Sequence, residues 1–216
     1  MDQLERNSNI LRKYIPAAAV DLVAHWIIDL DFKLKITKER STKLGDYRSP
    51  VNGSNHQITI NHNLNTYSFL VTLVHEIAHL TAWNKYRNSI APHGLEWKAE
   101  FKRMMLPFLN EVIFPEDVLN ALKRHMQNPA ATECSDPNLT AVLRRYDKKD
   151  GNNKLVPLQS IPFNTVFRFN ENRLFLKGEK IRTRFKCKDI VKGHLYLFNA
   201  MAQVEIFERN EAAQGG

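Results

Sequence analysis

Five residues, His75-Glu76-Ile77-Ala78-His79, constrain this chain more than any other stretch. Two imidazoles four positions apart can close on one metal ion only if the backbone between them is helical, because helical side chains at i and i+4 share a face about one turn apart. The flanking residues supply that helix. Leu64-Asn65-Thr66-Tyr67 offers capping side chains, and Phe69, Leu70, Leu73, Val74, Ile77, Leu80 and Thr81 recur at helical spacing, which predicts a helix over 66–84. Glu76 then lies beside the imidazoles, placed to take the proton of a water that the metal activates, as in H-E-x-x-H zinc peptidases. The competing reading makes both His ordinary polar positions of an amphipathic core helix; a carboxylate between two imidazoles on so apolar a helix argues against it.

A catalytic zinc takes three protein ligands and leaves a fourth position open. The metzincin extension would put Gly and His where this chain has Ala82 and Lys85, so that class is excluded. The next imidazole is His93, in Pro92-His93-Gly94-Leu95-Glu96-Trp97, ahead of a helical pattern over 96–110 built on Trp97, Phe101, Met104, Met105 and Phe108. A ligand at the start of that helix can fold back onto the first, so His93 ranks as the third ligand. Glu96 and Glu100 are rivals, because a carboxylate from a downstream helix can serve the same purpose.

In these residues the chain resembles the SprT-like (Spartan-like) zinc metallopeptidases. Their H-E-x-x-H helix, loop, and His-Gly ahead of an aromatic-containing helix are matched by His75, Glu76, His79, His93, Gly94 and Trp97. Upstream, Arg40-Ser41-Thr42-Lys43-Leu44-Gly45 and Ile58-Thr59-Ile60-Asn61 match the family's Arg/Thr-rich strand, Gly turn and following short strand. The resemblance covers roughly residues 10–126 and implies one catalytic Zn2+, a protein or peptide substrate, and action on proteins bound or crosslinked to DNA. Many relatives end in a zinc ribbon with two Cys pairs. This chain has only Cys134 and Cys187, so a second, structural zinc is not expected and both cysteines read as free thiols.

The fold expected is α+β: a mainly helical zincin-like domain with a small β-meander over 1–126, a linker with a short helix around Leu139 to Tyr146 over 127–164, and a small antiparallel β-domain over 165–216. In the first, Ala17 to Phe32 reads as a helix opened by Pro16. Leu34 with Ile36 and Ile58 with Ile60 read as strands around a Gly45 to Gly53 loop, and a last helix spans 115–126. In the third, period-two patterns mark strands at 165–169, 173–177, 180–188, 194–199 and 202–207. Phe167, Phe169, Phe175, Phe185, Tyr196, Phe198 and Phe207 are expected to pack where the family's ribbon binds metal. No apolar run approaches the roughly 18 residues of a membrane span, and the polar start is not that of a signal peptide, so a cytoplasmic location is expected.

The net charge of +8 is uneven: residues 127–216 carry +5, and 173–192 alone carry +6. Within the strand expected at 180–188, Arg182, Arg184, Lys186 and Lys188 alternate with Ile181, Thr183, Phe185 and Cys187, giving a cationic face that can track phosphates. A solvated outer sheet face reads the same way. The alternative function is therefore a nucleic-acid-binding module whose metal site is structural or degenerate. Tyr67, Tyr86 and Trp97 lie near the motifs but read as packing residues, and His25, His56, His62, His125 and His194 carry no spacing argument.

Overall fold

The computed structural model describes residues 2–40, 43–51, 53–129, 136–147, 155–169, 173–182 and 184–207. The chain divides into two compact units, residues 1–148 and 149–216. The chain is mixed α+β, and among the described residues no helix is long and apolar enough to cross a membrane.

The first unit is organised around helix α3 (Thr66–Tyr86), whose residues from Ser68 to Ala78 are all buried. Asn65 starts it by accepting hydrogen bonds from the amides of Tyr67 and Ser68, which satisfies two of the N–H groups that lack an intrahelical partner. Helices α1 (Gln3–Leu11) and α2 (Val20–Asp29) precede a three-stranded sheet of β1 (Phe32–Thr37), β2 (Gly45–Arg48) and β3 (His56–Asn61). After α3 come α4 (Leu95–Met105), α5 (Glu116–His125) and α6 (Pro137–Arg144).

The sheet corrects the expected meander. Its order is β1-β3-β2, with β1 parallel to β3 and β2 antiparallel to it, so both β1 and β2 are edges. Strand β2 lies inside the stretch read as a loop; at four residues it is too short to show an alternation of its own. Helix α2 stops at Asp29, and Phe32 belongs to β1 instead of ending a long helix. The α-helix expected over 96–110 ends at Met105 and tightens to a 3-10 turn at Leu106–Phe108, where Pro107 has no N–H to continue the ladder. Helix α1 escaped the sequence reading because Leu4 and Leu11, seven apart on one face, are too few to mark an apolar stripe.

The segment 127–164, read as a linker, contributes to both units. Asp136 caps α6, which belongs to the first unit, and β4 (Leu155–Pro157) pairs with β9 (Gln203–Ile206) in the second.

The second unit is a six-stranded antiparallel sheet in the order β4-β9-β5-β6-β7-β8, where β5 is Val166–Phe169, β6 Arg173–Ile181, β7 Arg184–Asp189 and β8 Leu195–Asn199. Phe167, Phe175, Phe185 and Phe198 are buried in its core with Phe169 and Tyr196 against them, whereas Phe207 lies outside that cluster, beneath Arg168. The strand expected at 180–188 is two strands. Arg182 occupies the turn between β6 and β7 with φ 54°, so it leaves the cationic row, and Arg184, Lys186 and Lys188 remain on one face of β7. Gly178 lets these strands approach, since a Cβ there would run into the carbonyl of Lys186. Cys187 is a buried free thiol; Cys134 lies outside the described residues.

Candidate metal centre

Helix α3 carries His75 and His79 one turn apart, and the loop before α4 returns His93 to them, with φ 58° at His93. The three Nε2 atoms form a triangle with sides of 3.2 Å (His75–His79), 3.0 Å (His79–His93) and 3.3 Å (His75–His93). Ligands at about 2.05 Å around a tetrahedral zinc would stand about 3.3 Å apart, so the triangle has the size such an ion requires. Hydrogen bonding alone cannot satisfy it. Each nitrogen is either protonated or bare, two of three must therefore be alike, and at least one contact opposes like groups. A cation resolves this, because it takes all three lone pairs.

The electrostatics keep those lone pairs available. Burial first, and then the neighbouring His79, His93 and His125, push the His75 pKa down to about 2; burial and His93 push that of His79 down to about 4. Burial also lowers His93. Helix α4 provides the floor: the Trp97 ring lies 4.7, 5.1 and 4.6 Å from the rings of His75, His79 and His93, and Phe101 lies 5.5 Å from His75. Trp97 is thus a packing residue, but what it packs against is the three imidazoles that could hold a metal ion.

Glu76 is buried beside the triad, and β2 starts directly over it. A Cβ on Gly45 would come within 2.7 Å of Glu76 Oε1 and 2.8 Å of Thr72 Cγ2, so only glycine leaves the carboxylate its room. Two residues on, the Tyr47 ring lies parallel to that of His79 at 6.4 Å, and its hydroxyl is hydrogen-bonded to His56 Nδ1 at 2.9 Å. Burial raises the Tyr47 pKa, so the phenol stays protonated. Gly45 and Tyr47 were not identified as site residues from the sequence. In the sequence Gly45 ends a family motif, but nothing in the Gly45 to Gly53 stretch indicates which helix face it meets.

The rival ligands lie elsewhere. Glu100 is held by Lys85 Nζ at 2.5 Å and Arg103 Nη2 at 2.7 Å. Burial pushes its carboxyl up, but the hydrogen bonds from Arg103, Lys85 and Thr81 outweigh this and leave its pKa below the usual value. Glu96 is exposed on the first turn of α4. Tyr67 packs on Phe114 and Tyr146, Tyr86 is exposed at the end of α3, and His125 pairs with Asp136 at 2.9 Å behind Phe101. Among the described residues, His75, His79 and His93 are the group that could hold a metal ion.

No curated protein and no solved structure gives a match to the chain. The sequence model of the SprT-like family matches residues 23–115, a segment that contains the whole sheet, α3, the His triad and α4. Over residues 23–115 the chain is similar to the SprT-like family.

Proposed function

We propose that the chain is a zinc-dependent peptidase in which His75, His79 and His93 hold one Zn2+ and Glu76 is the general base. The observation that carries this is the Nε2 triangle, sized for a tetrahedral ion, with the buried carboxylate of Glu76 next to His75 on α3 and given room by Gly45. Zinc held there supplies a Lewis acid that polarises a carbonyl and makes a water acidic enough to ionise near neutral pH. The chain's own residues do the rest. Glu76 takes the proton of the attacking water on a carboxylate oxygen and hands it to the leaving amine. Trp97 and Phe101 fix the imidazole rings and keep water from behind them. The free edge of β2, which begins at the Glu76 contact, can pair with an extended substrate backbone.

The substrate class that fits the family is protein bound or crosslinked to DNA, and the cations Arg184, Lys186 and Lys188 on β7 are the feature that supports contact with phosphates. The test separates binding from chemistry. Glu76→Gln keeps shape and hydrogen bonding but cannot accept the proton, so it should retain one zinc per chain and lose peptide hydrolysis by about 10²–10⁴-fold. His93→Ala should lose both zinc and activity. Hydrolysis by Glu76→Gln at the wild-type rate sinks the proton role; a zinc-loaded wild type that binds DNA and cleaves no protein favours the nucleic-acid-binding module instead.

A further inference from the structure

The edge of the sheet opposite β2 is also open. The carbonyl of Thr37 accepts from the His62 amide at 2.9 Å, on the β3 side. Residues of a parallel strand alternate in the side to which both backbone groups point, so Lys33, Lys35 and Thr37 bond towards β3 while the N–H and C=O of Leu34 and Ile36 face away from it. Nothing among the described residues pairs with them. An unpaired edge is a template for another strand.

Beside this edge runs a groove of about 450 Å³ whose far wall is formed by Ile10 and Leu11 of α1 and Ile27 of α2, facing Leu34 and Ile36. Ile10 is 48 % exposed although it lines the groove. Asn7, one turn before Leu11 on α1, also lines it, and its Nδ2 is buried without an acceptor. A buried amide donor left unpaired is unfavourable, so a carbonyl brought beside Asn7 would be stabilised there. Lys33 and Lys35 alternate with Leu34 and Ile36 along β1 and stand exposed, and Lys33 also reaches the lining of the groove. Asp31, to which Asn55 donates at 2.9 Å, closes one end of the groove.

We propose that β1 is a docking edge for an extended segment of a partner protein in which apolar residues alternate with Asp or Glu. Added to β1, such a segment pairs its backbone with Leu34 and Ile36. One set of its side chains then lies in the groove and the other beside Lys33 and Lys35. Opposite charges on neighbouring strands attract and like charges repel, so the two lysines select acidic residues on the exposed face. They also disfavour a second copy of this chain, whose β1 would bring its own lysines against them. The groove depends on α1, which lies outside the segment matched by the SprT-like family.

The experiment is calorimetric titration of the full chain, carrying Glu76→Gln to prevent cleavage, with blocked heptapeptides alternating Val with Glu or Val with Lys. The Glu peptide should bind at least tenfold more tightly than the Lys peptide, and Lys33→Glu/Lys35→Glu should invert the preference. At saturation the Glu peptide should leave casein hydrolysis by the wild-type chain unchanged, which keeps the result separate from substrate binding along β2; competitive inhibition would place the peptide at that edge and overturn the proposal. N-methylation of one alternate set of peptide amides should weaken binding at least tenfold and N-methylation of the other set should not. Equal affinity for the two peptides, indifference to the lysine reversal, or indifference to both methylated sets overturns the proposal. So does sedimentation of the chain as a dimer to which neither peptide binds, which would give the edge to a second copy.

Discussion

At Gly45 the lack of a side chain decides where Glu76 can sit. Gly45→Ala brings a methyl to within 2.7 Å of Glu76 Oε1, and the buried carboxylate can yield only by turning out of place. Peptide hydrolysis should fall by about tenfold or more, as misplacement of a reacting group does, while zinc content and helical signal stay at wild-type values. Full activity in Gly45→Ala would show that the carboxylate has slack. The imidazoles give a pH prediction. Their folded pKa values lie below the ordinary 6.5, so once the pH drops under 6.5 protons bind preferentially to the unfolded, metal-free chain. Stability contributed by neutral His75 and His79 is therefore full above pH 6.5 and is lost as the pH falls towards about 4 and then about 2. Zinc should follow the same order, because only neutral imidazole ligates. Half-release, measured with a colorimetric chelator between pH 7 and 4, should fall below 6.5; half-release at or above 6.5 would contradict it. His75, Glu76 and His79 were legible because their spacing is local to one helix. His93 was ranked but not settled, since its distance to the helix depends on a loop.

Among the elements, β7 carries the remaining argument for nucleic acid. The period-two pattern runs through 180–188 without a break, so only the pairing of Ile181 with Arg184 shows that a turn intervenes and removes Arg182 from the row. On the same outward face, Lys188 neighbours Leu176 and Leu195, and Lys186 neighbours Leu197, so the cations are set among exposed leucines on β8. Replacing Arg184, Lys186 and Lys188 by Glu should leave the β-sheet circular dichroism intact. If the row holds phosphates, log affinity for DNA against log salt should lose about 0.7–0.9 of slope per contact removed. A folded triple variant with unchanged affinity and slope would reduce the row to a solvated face. Strand β2 was hidden for another reason: at four residues it is defined by its partner, and Gly45 and Asp46 have little strand preference of their own.

For the whole molecule, the His triad lies in the unit formed by residues 1–148, whereas the unit formed by 149–216 is centred on stacked and edge-on phenylalanines. Removing zinc with EDTA should therefore lower the melting temperature of the helical signal, by about 5–10 °C if free zinc had stood near a hundredfold above its dissociation constant, and leave the β signal where it was. Collapse of the β signal on EDTA treatment would mean that aromatic packing does not suffice there. The sequence by itself determined the central helix, the two imidazoles and carboxylate on it, the aromatic helix after His93 and the strand-rich character of the C-terminal part. All of these depend on periodicities and caps within some twenty residues. Only the tertiary structure decided that β1 runs parallel to β3, that Gly45 sits over Glu76, that Glu100 is taken by Lys85 and Arg103, and that β1 keeps a free edge beside α1. Those are contacts between segments far apart in the chain. They are selected by which surfaces bury best against each other, and no local pattern of residue types records that choice.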